Sequence, residues 1–266
     1  VPCPTCRGPD RPCFIATDVE AAAMDTTIPA ALRAENANLH QHRASLDKDL
    51  IVHLFVAAAQ SDRAAVLLKP TPPSHALPTD ASQRLARLRA LQASDLALSG
   101  RVSDPAGRTL ARWLTSPASC AATVVKLKPR DCLGKIPTPH QFIITRNAPA
   151  DRDRRFHEHK RKAGGTKFAF HGSRTDCWFA ILNNGIKNCS GTSLQTTGAA
   201  KGAGVYLATA AATALGYCRA AKGWCLRAHA ASSATTTPAA AAAGGSLIDN
   251  KGAMIVLALC EVVKDG

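Results

Sequence analysis

The sequence predicts an α+β fold, on three observations. Apolar residues recur at helical spacing through much of the first half. After Gly165 the pattern changes to short strand-like runs bracketed by glycines. Near the end, residues 254–263 are apolar almost throughout and rich in strand-forming types. The chain is read as a Cys- and Pro-rich segment (1–19), a mainly helical region (20–122) and a module spanning 123–266.

The elements follow in order. Residues 18–69 read as helical, with Leu46, Leu50, Ile51, Leu54 and Phe55 on one face. Pro70, Pro72, Pro73 and Pro78 mark residues 70–80 as a linker. Helical spacing resumes over 81–115 through Leu85, Leu88, Leu91, Leu96 and Leu98. Residues 123–145 mix β-branched residues, prolines and basic residues without a dominant period. Phe168, Ala169 and Phe170 read as a strand and His171-Gly172-Ser173 as a turn. A helix follows, capped by Ser173, Thr175 or Asp176, with Trp178, Ile181 and Leu182 on its buried face. Gly185 stops it, and Ile186 is placed for the apolar contact of a Schellman cap. Gly202 and Gly204 lead into a strand over 205–208, and alanines predict a helix over 209–221. Residues 230–245 are low-complexity and read as a flexible insertion. The run 254–263 reads as a strand buried on both faces.

The charge is lopsided: 33 Lys and Arg against 19 Asp and Glu, a formal +14. It is densest over 152–167 and suits anionic partners, whether a phosphorylated cofactor, an acidic protein or nucleic acid. Charge alone supports nucleic acid, since that stretch has few aromatics on which bases could stack. No apolar stretch is long enough to span a bilayer. Most of the ten cysteines lie singly in apolar or helical surroundings, which fits reduced thiols in the cytosol or nucleus. The start at Val1 and the end at Gly266, directly after the apolar run, read as those of a fragment.

Several motifs could carry chemistry. Cys3-x2-Cys6-x6-Cys13 offers zinc-like spacing without a fourth ligand, so a Cys-rich terminus without metal is the favoured alternative. His157-Glu158-His159 would need a second His at 161 to form a zincin helix, and Arg161 stands there. Gly202-Ala203-Gly204 lacks the third glycine of a dinucleotide fingerprint, with Leu207 in its place. The strongest constellation is joint. His171 follows a strand, and the chain's two tyrosines, Tyr206 and Tyr217, both fall close behind it. Two flat rings and a hydrogen-bonding imidazole could sandwich an aromatic ligand.

The ordered motifs Phe168-Ala-Phe-His171-Gly172-Ser173, Trp178 to Gly185, Gly198-Ala-Ala200, Gly202-Ala-Gly204-Val-Tyr206-Leu207 and Leu259-Cys260-Glu261-Val262 resemble the poly(ADP-ribose) polymerase (PARP) catalytic domain. The likeness is nearest to its mono-ADP-ribosylating branch. It implies a split, mixed β-sheet module that transfers a single ADP-ribose from NAD⁺ to a protein acceptor and releases nicotinamide. His171 and Tyr206 would be the catalytic pair. His171 would hydrogen-bond the adenosine ribose, Gly172 would pair its backbone with the nicotinamide carboxamide, and Ser173 would meet the adenosine part. Tyr206 and Tyr217 would stack on nicotinamide, while Gly185, Ile186 and Lys187 would lie near adenosine. The sequence departs from the pattern at Ala214, where a Ser commonly bonds the carboxamide, and at Cys177, where Asn is common. The family's third triad position would fall on a strand beyond Val263, outside these 266 residues. A module that binds NAD⁺ or ADP-ribose without transfer is the alternative expectation.

Overall fold

The computed structural model describes residues 13–16, 48–93, 104–114, 116–120, 122–126, 133, 136, 141–146, 150–195, 201–221 and 254–264. Cys3 and Cys6, the helical expectation for 18–47, Leu96, Leu98, Gly198 and the low-complexity stretch 230–245 lie outside these residues.

Helices dominate the first half. Helix α1 (Lys48–Gln60) buries Leu50, Ile51, Leu54 and Phe55 of the stripe that the apolar spacing predicts, Leu46 lying outside the described residues, and Ala58 joins them. After it come α2 (Ala64–Leu67), α3 (Ala81–Ala93) and α4 (Pro105–Leu114). Aspartates start two of them. Asp80 Oδ1 accepts the Gln83 N–H at 2.9 Å, and Asp104 Oδ2 accepts the Gly107 N–H at 2.8 Å while also pairing with Arg87. Where α4 ends, the fully buried Ser119 donates its hydroxyl to the Leu114 carbonyl at 2.9 Å. The buried Arg84 guanidinium donates to the Ala59 carbonyl (2.8 Å), at the C-terminal, electronegative end of α1, and to the Thr79 carbonyl (2.6 Å) just before α3.

The proline-rich stretch is not a spacer. Leu68, Ala76 and Leu77 are buried in the helical core. Four prolines exclude regular helix over 70–80, but they do not stop an irregular segment from packing where its apolar side chains face the core.

Strands frame the second half. The stretch 123–145, left unassigned from sequence, carries most of β2 (Ala122–Lys126) and β3 (Phe142–Arg146), an antiparallel pair in register from Ala122↔Arg146 to Lys126↔Phe142. Helix α5 (Ala150–Lys162) carries the basic stretch, with acids in its first turn and bases in its last, as the helix dipole favours. Gly164 and Gly165, both at positive φ, turn the chain into β4 (Thr166–Gly172). The main sheet is mixed, in the order β1 (Cys13–Ala16), β5 (Val205–Ala208), β4, β6 (Leu257–Val263). Its β1–β5 pair is parallel and the others antiparallel. The architecture is α+β. It also places the end of the Cys-rich segment on β5 as a strand.

Four local expectations are corrected. The turn at 171–173 begins later, because His171 and Gly172 still pair with Ala258 and Leu257. The 3₁₀ turn Thr175–Cys177 and helix α6 (Trp178–Asn184) have no side-chain N-cap bond. Tertiary partners claim the capping candidates instead: Thr175 donates its hydroxyl to the Met254 carbonyl at 2.7 Å, and Asp176 binds Ser61 and Arg174. The alanine-rich helix shrinks to α7 (Ala211–Leu215), since Arg219 bridges to Arg174 and Cys218 turns inward, its thiol facing the Val256 carbonyl at 3.2 Å. Strand β6 is half-buried along most of its length, not buried on both faces. The expected stop holds: Gly185, at φ 80°, donates its N–H to Ile181 at 2.7 Å.

One core joins the two halves. Trp178, Phe179 and Leu182 of α6 and Met254 pack with Leu54, Phe55, Leu110 and Leu114. Phe55 meets Trp113 and Phe179 edge-on, with centroids 5.8 and 5.4 Å apart.

Candidate functional site

A cleft of about 540 Å³ opens beside β4 and β5. His171, Gly172, Ser173, Gly185, Lys187, Tyr206 and Tyr217 all line it, so residues up to 46 positions apart in the chain reach one cavity. Ile186, Cys177 and Ala214 line it as well.

The backbone sets each of these positions. His171 is the penultimate residue of β4 and lies beside β5, with its Nδ1 3.0 Å from the Tyr206 carbonyl. A carbonyl only accepts, so Nδ1 carries the proton and Nε2 is left as an acceptor. Burial pushes the imidazole pKa below its ordinary value, outweighing the upward pull of that hydrogen bond. The ring is therefore neutral near pH 7, and it meets Trp178 edge-on at 6.0 Å. The Tyr206 hydroxyl donates to the Gly202 carbonyl at 2.6 Å and accepts the Lys201 N–H at 3.0 Å. These bonds fix the ring through the 201–204 approach to β5. Tyr217 stands at the cleft with 47% of its surface exposed.

Gly172 is required by packing. A Cβ at this position would lie 1.9 Å from the Ala214 carbonyl oxygen and 3.1 Å from the Cys218 sulfur. No side chain fits, and the absence of one lets β4 press against the end of α7. The obstruction comes from Ala214 and Cys218.

Sequence reasoning missed the strut behind the cleft. Arg174 grips Asp176 through two bonds, Nε to Oδ1 at 3.0 Å and Nη2 to Oδ2 at 2.6 Å. Ser61 donates its hydroxyl to the same carboxylate at 2.8 Å. Burial alone would raise the Asp176 pKa, but the Arg174 and Ser61 bonds and the Arg174 charge bring it below its ordinary value. Cys177 differs. Burial and the Asp176 charge push its thiol up to about 11, so near pH 7 it is an uncharged lining group and not a nucleophile. Also missed were Arg63 and Lys69, which reach the cleft from the first half of the chain. Arg174 directly follows the His171-Gly172-Ser173 motif and could have been noticed; Arg63 follows no motif at all.

The cleft suits an anionic ligand of moderate size. Its size lies within the ordinary range for ligand pockets, roughly 300–1,000 Å³. The described lining includes Arg63, Lys69, Arg174 and Lys187 and no carboxylate, a charge balance that favours a phosphorylated ligand. Among the described residues no group of His, Cys, Asp and Glu is arranged to hold a metal ion, and no helix is long and apolar enough to cross a membrane.

Comparison with known proteins bears out the resemblance. The family model of the poly(ADP-ribose) polymerase catalytic domain matches residues 142–242. Protein mono-ADP-ribosyltransferase PARP8 of Mus musculus is 39% identical over 114 residues, covering 43% of this chain and 13% of the relative. Protein mono-ADP-ribosyltransferase PARP8 of Homo sapiens matches with the same identity and coverage. The matching stretch thus spans about an eighth of the length of these relatives.

Proposed function

We propose that residues 123–266 form an ADP-ribosyltransferase module that takes NAD⁺ as substrate and transfers one ADP-ribose to a protein acceptor. The convergence of His171, Gly172, Ser173, Tyr206 and Tyr217 on one cleft carries the reading. The family match and the mono-ADP-ribosyltransferase relatives support it.

In this reading the C1′–nitrogen bond between ribose and nicotinamide breaks, and its electron pair stays on the nicotinamide nitrogen. The leaving group departs neutral, so no strong general acid is needed. An acceptor heteroatom forms the new bond to C1′ and gives up its proton to solvent. Positive charge grows on the ribose as the bond breaks, as in glycoside cleavage. The protein's part is to hold and orient. The Nε2 of neutral His171 accepts a hydroxyl from the adenosine ribose. The Tyr206 and Tyr217 rings flank nicotinamide, and the Gly172 backbone meets its carboxamide. Ser173, Gly185 and Lys187 serve the adenosine end. His171 and Tyr206 are the residues assigned to catalysis. The free thiols among the described cysteines suit a reducing compartment, the cytosol or nucleus.

The test is transfer of label from adenylate-labelled NAD⁺ to protein by the full chain. Tyr206→Ala and His171→Ala should each abolish it while the variants stay folded. Unchanged transfer in both would sink the assignment. A second reading, binding of NAD⁺ or ADP-ribose without transfer, draws on Ala214, which offers no hydroxyl and turns its carbonyl toward Gly172. A thermal shift with NAD⁺ but no labelled protein would select it. At about 100 times its dissociation constant a ligand adds roughly 2.7 kcal/mol of stability.

A further inference from the structure

We infer that Arg63, with Lys69 beside it, is the pyrophosphate-facing wall of this cleft, so that the helical half supplies part of the dinucleotide site. The inference rests on the NAD⁺ reading above and adds residues outside the stretch matched by the catalytic-domain family, 142–242.

Both residues line the cleft from the segment that carries α2. Residue 63 is the N-cap of α2, and Lys69 follows its end. The segment is held against the motif region by three bonds. Ser61 donates to Asp176 at 2.8 Å, Asn184 donates to the Lys69 carbonyl at 3.3 Å, and Arg63 Nη2 donates to the Ser193 carbonyl at 3.2 Å. Arg63 is thus fixed at the wall, not trailing in solvent.

Charge then separates Arg63 from Arg174. Arg174 also lines the cleft, but its guanidinium is matched by Asp176 through two bonds. The bond fixing Arg63 goes to a neutral carbonyl, and among the described residues no carboxylate pairs with it. Its field reaches the cleft interior, where it acts on the Cys177 thiol alongside that of Arg174. A half-buried guanidinium with free donors and no counter-ion, in a lining without a carboxylate, calls for an anionic ligand group. In a dinucleotide that group is the pyrophosphate. Nicotinamide alone does not carry it.

The test follows from that division. Isothermal titration on the full chain compares NAD⁺, ADP-ribose and nicotinamide with wild type, Arg63→Gln and Arg63→Lys. Arg63→Gln should weaken NAD⁺ and ADP-ribose by about tenfold, the loss expected for a charge-assisted hydrogen bond, and leave nicotinamide unchanged. Arg63→Lys should recover part of that loss. If Arg63→Gln fails to fold by its melting curve, Lys69→Gln carries the test, with a smaller loss confined to the same two ligands. Equal weakening of all three ligands would make Arg63 a structural clamp and overturn the inference, as would an unchanged affinity for ADP-ribose. A wild-type chain that binds none of the three overturns the NAD⁺ reading itself. One that binds all three while Arg63→Gln and Lys69→Gln do likewise overturns only this inference.

Discussion

The helical half and the sheet half bury their residues very differently. Around α1, side chains such as Leu54, Phe55, Leu88 and Leu110 are almost wholly removed from water. The sheet's own cluster among the described residues has three buried members, Phe170, Ala208 and Ala214, and β6 stays half-exposed along most of its length. Yet the cleft is lined mainly from the sheet half. Open walls leave room for a ligand and bury little apolar surface, and surface removed from water is what holds a fold together. The motif segment resolves the tension by facing two ways. His171 and Ser173 face the cleft, while Trp178 and Phe179 sink into the helical core. The helical half is therefore the floor on which the cleft stands.

The largest expected effect tests that floor. Phe179, 1% exposed, touches Phe55 and Trp113. Phe179→Ala should cost about 3–5 kcal/mol, and helical and cleft signals should melt together in denaturant. Two separate transitions, with only one of them shifted, would mean that the halves are independent. Gly172→Ala comes next, because its Cβ has nowhere to go. NAD⁺ binding by titration should disappear while the far-ultraviolet helical signal persists; retained binding would show that the contact between β4 and α7 can yield.

Asp176→Asn should destabilise the chain by about 1–2 kcal/mol, less than a fully buried ion pair would cost because Arg174 is 38% exposed. The Asp176 pKa is lower in the folded chain than its ordinary 3.8. Its contribution is then fully present above pH 3.8 and lost as the pH falls through the lower folded value. Acid denaturation curves should show this limb in wild type and not in Asp176→Asn.

His171 works through the same linkage in a nearly neutral window. Its folded pKa lies below 6.5, so the unfolded chain protonates first and stability declines as the pH drops from 6.5 toward the folded value. An NMR titration of its ring should give a midpoint under 6.5, and a midpoint at or above that value would refute the buried, neutral imidazole. The smallest effect belongs to the Lys160–Glu261 pair, 2.7 Å apart and about a third exposed on each side. Glu261→Gln should change stability by only about 0.5 kcal/mol in thermal melts. A loss of several times that would show that α5 braces β6.

What the sequence made legible followed local signals. Apolar spacing located α1, Gly185 located the end of α6, and the ordered motifs located β4, α6 and β5. Residues that answer to distant partners were not legible. Thr175 and Asp176 look like helix caps until Met254 and Ser61 claim them. The prolines of 70–80 announce a break in helix but not which side chains turn inward. Alanines predict helix wherever they cluster, so only the Arg174–Arg219 bridge and the inward Cys218 show why α7 stops at Leu215. Arg63 illustrates the limit most plainly, since its place at the cleft is fixed by a carbonyl 130 residues away.

The Ser61–Asp176 bond also bears on how the chain assembles. It joins residues 115 positions apart, as does the bond from Asn184 to Lys69. Loops of that length close slowly, and closure entropy must be met before the contact returns anything. The helices can collapse early on local contacts, whereas the cleft waits for the later strands to find them. A folding experiment on a variant that keeps Trp113 as its single tryptophan should see that ring report burial well before the cleft is complete.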